Sequence, residues 1–148
     1  MKIRLYIQYC LLGFVFILCT SFSNHQQCDP DKLFKKHSAA LGDYSFIKSF
    51  PLEIEKGEDK AEYFYIMSRD VNYRIVVCSE NSYQNRMIIN LYGRDKKPLT
   101  SNYDKRTKTY TETLDFICPS TGVYRVEAFF EHHQKGCGLN ILGFKKPE

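Results

Sequence analysis

The fold class of the chain is decided by residues 61–67, which read AEYFYIM and alternate between two faces of an extended strand. The side chains of Tyr63 and Tyr65 lie on one face and those of Phe64 and Ile66 on the other, because successive side chains of a β-strand point in opposite directions. A helix would instead repeat its apolar positions every three to four residues. The same period of two returns along the rest of the chain, so the pattern favours strands.

Seven runs of this kind can be traced, each bounded by turn residues such as Gly, Pro, Asn or Asp. They are Ser49–Glu55, Glu62–Met67, Tyr73–Cys78, Met87–Tyr92, Thr109–Ile117, Val123–His132 and Leu139–Phe144. The fourth run is apolar on both sides and is therefore predicted to be central, and residues 93–108 are predicted to be a polar loop. Short strands at this spacing predict one antiparallel sandwich domain over residues 45–148.

A single helix is predicted before the strands. Asp29 is placed to cap its N-terminus, and Pro30 suits the first helical position, where no backbone donor is needed. Leu33 begins an apolar stripe at helical spacing, and Gly42 suits the C-terminal end. Residues 24–44 are therefore predicted to form a polar lead and an amphipathic helix that packs on the sandwich.

The first 23 residues have the pattern of a secretory signal peptide. Lys2 and Arg4 form a positive head, an apolar run covers Leu11–Leu18, and small residues allow cleavage after Ser23. The run falls well short of the roughly 20 apolar residues that a spanning helix needs, which disfavours a signal anchor. We therefore expect an exported protein, periplasmic or secreted, that meets a membrane only through this segment before cleavage.

The charge of the chain is too small to indicate a nucleic-acid partner. The full sequence carries a net charge of +4, and removal of the signal with Lys2 and Arg4 leaves +2. Nucleic-acid-binding domains are usually far more basic.

Four cysteines remain after cleavage, and an even number in a small exported protein predicts two disulfides. They are Cys28, Cys78, Cys118 and Cys137. Three pairings are open, of which we favour Cys28–Cys118 with Cys78–Cys137. Oxidation of all four would remove the thiolates that a nucleophile or a soft metal site needs.

Four stretches resemble the bacterial pre-peptidase C-terminal-like modules. They are AEYFYI at 61–66, YRIVV at 73–77, IINLYG at 88–93 and LDFICPSTGVYRV at 114–126, the last with a Pro-x-x-Gly-x-Tyr turn. The leading helix and the four cysteines resemble small exported bacterial proteins of unknown function that carry such a sandwich alone. The resemblance implies a jelly-roll-like β-sandwich of about seven strands and a non-catalytic accessory role.

Basic and tyrosine residues mark two loops, near residues 79–86 and 94–108, as candidate binding elements at a sandwich end. The candidate ligand-binding residues are Tyr83, Tyr92, Arg94, Lys96, Lys97, Tyr103, Lys105 and Arg106. They suit an anionic glycan or an envelope protein, because tyrosine combines an apolar body with a polar tip and the loop is basic. The alternative is an ordinary solvated loop. Asn102 and Asp104 offer oxygens to calcium, but they are too few for a site by themselves.

We therefore expect a non-catalytic exported binding module, with no cofactor and no metal site. The alternative function is a small metal- or thiol-dependent hydrolase that uses His132, His133 and Cys137. A third hypothesis is an envelope structural or inhibitor-like protein that blocks a partner by strand-edge pairing. The carboxylate pairs Glu53/Glu55, Glu58/Asp59 and Glu127/Glu131 are expected to be surface charges.

Overall fold

The structure is a computed structural model that describes residues 28–55, 60–80, 85–133 and 135–147. The predicted signal peptide and Tyr83 lie outside these residues. Helix α1 spans Pro30–His37 and continues into a 3₁₀ turn, Ser38–Leu41. In the described part of the chain, no helix is long and apolar enough to cross a membrane.

Ten strands follow the helix within the described residues, and every pairing between them is antiparallel. They are β1 (Ser45–Ile54), β2 (Ala61–Met67), β3 (Asn72–Ser79), β4 (Met87–Tyr92), β5 (Pro98–Ser101), β6 (Tyr103–Asp104), β7 (Thr109–Tyr110), β8 (Thr113–Ile117), β9 (Gly122–Phe130) and β10 (Gly136–Lys145). Sheet A has the order β1-β10-β3-β8, sheet B the order β2-β9-β4-β5, and β6 pairs only with β7. The mainly-β prediction with one N-terminal helix is confirmed.

The main core lies between the two sheets and follows from the alternation along each strand. Tyr73 and Ile75 of β3 face this core, together with Ile89 of β4 and Val126 of β9. All four are at most 5% exposed. Strand β4 lies inside sheet B, between β9 and β5, as its apolar sequence predicts.

A second, smaller core lies on the other face of sheet A, beneath helix α1. Leu33 and Leu41 pack there against Val76 of β3 and against Leu139 and Ile141 of β10. The predicted N-cap is confirmed, because the backbone N–H of Lys32 donates to Asp29 Oδ1 at 3.0 Å. Sheet A is thus covered on both faces, whereas no described element covers the outer face of sheet B.

An arginine joins the end of the helical segment to sheet A. The guanidinium of Arg74 donates two parallel hydrogen bonds of 2.7 Å to the carboxylate of Asp115 on the neighbouring strand. Its remaining nitrogen donates to the carbonyl oxygens of Ala40 and Leu41, both at 3.4 Å. Arg74 therefore binds carbonyls of the last helical turn, where intrahelical partners run out, and orients the helix on the sheet.

The turn between β8 and β9 explains the Pro-x-x-Gly-x-Tyr sequence. The hydroxyl of Tyr124 donates to the carbonyl oxygen of Ser120 at 2.8 Å, which closes the turn. The thiol of Cys118 lies 3.1 Å from the same oxygen and 3.4 Å from the Tyr124 hydroxyl. Both side chains are buried in the main core. The tyrosine therefore fixes the turn, residues 118–121, that precedes its own strand.

Several strand boundaries differ from the sequence prediction, among them β1, which begins at Ser45 rather than Ser49. The loop predicted at 93–108 contains β5, β6 and the turn of the β6–β7 hairpin, and the run predicted at 109–117 divides into β7 and β8. The division occurs at Thr111, whose backbone N–H donates to the carbonyl of Asn102 at 2.9 Å and so interrupts the run between β7 and β8. The run predicted to reach His132 ends at Phe130, because His132 has a positive φ of 57° in a 3₁₀ turn.

The predicted disulfide pairing is wrong. Cys28 is bonded to Cys137, while Cys78 and Cys118 are buried free thiols. The register of β3 excludes Cys28–Cys118: Cys118 donates its N–H to Val71, just before β3, whereas Cys137, the partner of Cys28, accepts the N–H of Glu80, just beyond it. At about 3.3 Å per residue these two ends are about 30 Å apart, far beyond disulfide reach. Cys78 and Cys118 are likewise too distant along β3 to bond to each other. The Cys28–Cys137 bond instead attaches the segment before helix α1 to the start of β10.

We predict that alkylation without a reductant modifies no cysteine of the folded domain efficiently and two after denaturation. Burial protects Cys78 and Cys118 in the native state, and the disulfide protects Cys28 and Cys137 in both states. Peptide mass spectrometry of the exported form identifies the modified residues. Modification of none or of four after denaturation would contradict the pairing.

Candidate functional site

A pocket of about 260 Å³ opens at one end of the sandwich, where β3 ends and β4 begins. We call this the pocket end. The lining residues are Val77, Ser79, Arg86, Met87, Asn102, Tyr110, Thr111 and Glu112. The pocket therefore combines apolar side chains from both sheets with a guanidinium, a carboxylate and several neutral polar groups.

The β6–β7 hairpin, residues 103–110, projects beside this pocket. The rings of Tyr103 and Tyr110 stack with their centroids 4.5 Å apart. The guanidinium of Arg86 lies 4.6 Å from the centroid of the Tyr110 ring. Burial and the nearby Glu131 carboxylate raise the pKa of Tyr110. Two tyrosines and an arginine are thus held in fixed positions at the base of a hairpin whose exposed tip carries Lys105 and Arg106.

Asn102 holds the hairpin to the sandwich. Its side-chain oxygen accepts the N–H of Ile89 at 2.7 Å, and its nitrogen donates to the carbonyl oxygens of Met87 at 3.1 Å and Thr111 at 3.3 Å. The side chain is 3% exposed, so the whole amide is used inside the protein.

Asp104 is used in the turn of the same hairpin. Its carboxylate accepts the backbone N–H groups of Arg106 at 2.8 Å and Thr107 at 3.3 Å. The pKa of Asp104 is lowered, first by the bond from Arg106. Asn102 and Asp104 thus have structural partners, and within the described residues no group of three His, Cys, Asp or Glu side chains could hold a metal ion.

The structure divides the predicted ligand-binding residues into three places. Tyr103, Lys105 and Arg106 lie on the hairpin at the pocket end. Arg94, Lys96 and Lys97 lie on the β4–β5 turn, which is about 17 Å away along β4 and at the opposite end of the sandwich. Tyr92 lies on the outer face of sheet B. The single basic loop expected at 94–108 is therefore two separate basic surfaces. Arg86 of the pocket end lies in the predicted 79–86 element but was not among the selected residues.

A ring of polar contacts, which we call the outer network, occupies the outer face of sheet B. Its members are Lys60, Glu62, Tyr92, Arg125 and Glu127. Lys60 Nζ lies 2.6 Å from Glu127 and 3.8 Å from Glu62, and Arg125 donates to Glu62 at 2.8 Å. The Arg125 guanidinium also lies 4.3 Å from the centroid of the Tyr92 ring.

Glu127 is the buried member of the outer network, contrary to the expectation of a surface charge. It is 7% exposed and accepts hydrogen bonds from Lys60, from Asn90 at 3.2 Å and from the hydroxyl of Tyr92 at 3.1 Å. Burial acts to raise the pKa of Glu127, but these three hydrogen bonds outweigh it, so the pKa is lowered. The alternation along β9 places Glu127 on the outer face, and no sequence signal reveals the side chains that cover it.

The cysteines and histidines considered for catalysis are not assembled into a site in the described residues. Cys137 is oxidised in the disulfide. Burial, followed by the Glu112 carboxylate, raises the pKa of Cys78 to about 12, so this thiol is protonated at neutral pH. The side chain of His132 is 74% exposed and lies 3.6 Å from the Glu131 carboxylate. A thiolate nucleophile therefore has no support from Cys78 or Cys137.

Comparison with known proteins adds information about the fold. No family model matches the chain, and no curated protein matches it. The chain has a fold similar to that of a periplasmic lysozyme inhibitor. The solved protein is PliG of Aeromonas hydrophila, described as an inhibitor of g-type lysozyme, with a TM-score of 0.53 and 9% identity. The match covers 70% of this chain and 89% of PliG. At this identity the likeness concerns the fold alone.

We predict that Asn102→Ala lowers the free energy of unfolding by about 2–3 kcal/mol, because it leaves the buried Ile89 N–H without a partner. Chemical denaturation measures the change. Asn72→Ala is the control, since Asn72 lies at the half-buried start of β3. An equal loss in the two variants would contradict the role assigned to Asn102.

A second prediction concerns pH. The pKa of Glu127 is lower in the folded state than its unfolded value near 4.5, so the ionised carboxylate stabilises the fold above that pH. This contribution is lost as the pH falls through the folded pKa. Glu127→Gln should therefore cost roughly 1–3 kcal/mol at pH 7, and the difference from the unmodified protein should shrink below about pH 4.5. Denaturation at several pH values tests this, with the exposed Glu53→Gln as control. A difference independent of pH would contradict the assignment.

Proposed function

We propose that the chain is a non-catalytic exported binding module that holds a protein partner at the pocket end. The observation that carries the proposal is the combination, at one end of the sandwich, of a pocket, the Tyr103–Tyr110 stack with Arg86, and the basic hairpin tip. Tyrosine and arginine are the residue types enriched where protein interfaces concentrate their binding energy.

The rigidity of this end supports a binding role. Asn102 fixes the base of the hairpin with three side-chain hydrogen bonds, and Asp104 fixes its turn. A surface that is already ordered loses little conformational entropy when a partner binds, so more of the contact energy appears as affinity.

The charge of the hairpin tip indicates the chemistry of the partner. Lys105, Arg106 and Lys108 are exposed there, and Asp104 is already used in the turn. Such a tip complements a surface that carries carboxylates. Glycoside hydrolases place a pair of carboxyl groups on either side of the scissile bond, so their clefts provide such a surface. The fold shared with a periplasmic lysozyme inhibitor supports a lysozyme as the first partner to be tested.

Export is supported by the Cys28–Cys137 disulfide, because such bonds persist in oxidising compartments. The hydrolase alternative has no comparable support. Its thiol version needs Cys137 as a thiolate, and that sulfur is bonded to Cys28.

The test compares two double charge reversals, Lys105→Glu with Arg106→Glu at the pocket end and Lys96→Glu with Lys97→Glu at the opposite end. We expect the unmodified protein to slow the clearing of cell walls by a g-type lysozyme. The pocket-end reversal should weaken binding about tenfold or more, because it replaces attraction with repulsion. The opposite-end reversal changes the net charge equally and should leave the affinity within about twofold. Calorimetric titration measures both affinities.

Two outcomes would contradict the proposal. If the opposite-end reversal abolished binding and the pocket-end reversal did not, the site would lie on the β4–β5 turn. If no lysozyme bound and an anionic polysaccharide did, with loss of binding in the pocket-end variant, the partner would be a glycan rather than a protein.

A further inference from the structure

The two sheets present four edge strands, and three of them carry features that discourage pairing with another chain. Proline, charged side chains, bulges and short length are the usual protective features. Strand β1 contains Pro51, Lys48 and Glu53 and has a register break between Phe46 and Lys48. Strand β5 has four residues and begins with Pro98, and β8 has five residues with Asp115 at its centre.

Strand β2 has fewer of these features, because its one charged residue, Glu62, is held by Lys60 and Arg125 on the outer face. It has seven residues, contains no proline, and pairs with β9 without a break from Ala61↔Ala128 to Met67↔Gly122. The neighbour of β2 on one side is β9, and sheet B ends on the other side. Its outer edge is therefore a regular row of backbone donors and acceptors with no strand partner in the described chain.

Part of the outer face beside this edge is apolar and exposed. Phe64 is 63% exposed and Ile66 is 67% exposed, and Val123, the cross-strand neighbour of Ile66, is 56% exposed. Large apolar side chains grouped in this way on a soluble domain usually mark a contact surface.

The charges of this face favour a copy of the same chain. The outer network contains two cations, Lys60 and Arg125, and two carboxylates, Glu62 and Glu127, so its formal charge is zero. The whole chain carries only +4. Two copies that meet along β2 therefore bring together neutral surfaces, and like-charge repulsion does not oppose the contact.

We propose that β2 pairs with β2 of a second copy in antiparallel orientation, which joins the two B sheets into one continuous eight-stranded sheet. A two-fold axis at Tyr65 places Phe64 opposite the partner's Ile66 and repeats the same apolar pair on the other side. Directly opposed aromatic and β-branched residues stabilise antiparallel pairs. This interface is separate from the pocket end, so the proposed function does not depend on it.

The first test is sedimentation equilibrium of the mature, non-reduced protein at concentrations from about 1 µM to about 1 mM, a range that covers weak association. We expect a reversible monomer–dimer equilibrium that Ile66→Lys weakens at least about tenfold. The matched control is Ile117→Lys. Ile117 is 69% exposed on the β8 edge, so this variant adds the same charge at an equally exposed isoleucine and should leave the dimer unchanged.

Hydrogen exchange then distinguishes edge pairing from contact between faces. If β2 pairs edge to edge, its outward-facing amides become protected as the protein concentration rises, and they lose that protection in Ile66→Lys. A chain that stays monomeric over the whole range would overturn the proposal. So would a dimer that Ile66→Lys leaves intact or that forms without protection of the β2 amides. Circular dichroism and thermal unfolding confirm that both variants fold.

Discussion

The structure depends on the burial of sheet A on both of its faces. Every residue from Gly138 to Gly143 of β10 is buried, because sheet B covers one side and helix α1 covers the other. Leu139 and Ile141 face the helix while Leu142 faces the other sheet, so a single strand contributes to both cores. The placement of the helix, the Arg74 contacts and the protection of Cys78 all follow from this arrangement, and it leaves sheet B with one open face.

Much of the fold could be predicted from the sequence, because alternation reports directly on which side of a strand is buried. Met87–Tyr92 is predicted with its observed limits, and the Asp29 cap begins the helix as expected. The segment 93–108 could not be predicted, since β5 and the hairpin are specified by Asn102, whose amide contacts residues that are distant in sequence. The cysteine pairing failed for the same reason: it depends on the strand order in space.

The candidate site was anticipated only in part. Tyr103, Lys105 and Arg106 were selected because basic and aromatic residues lie close together in the sequence, and the structure places them beside a pocket. The same criterion selected Arg94, Lys96 and Lys97, which lie at the far end of β4 from that pocket. For Glu127 the error was in the opposite direction: a surface charge was expected and the side chain is buried. A single glutamate on an alternating strand gives no indication that Lys60 and Tyr92 cover it.

The position of β10 in sheet A restricts the order in which the protein can assemble. Strand β10 lies between β1 and β3, so sheet A stays incomplete until residues 136–145 have paired with both strands. The disulfide can likewise form only after β10 is available, because it joins cysteines 109 residues apart. Contacts so distant in sequence form slowly. The sheet must therefore remain open, with β1 unpaired and β3 paired on one side only, until residues 136–145 enter the gap between them.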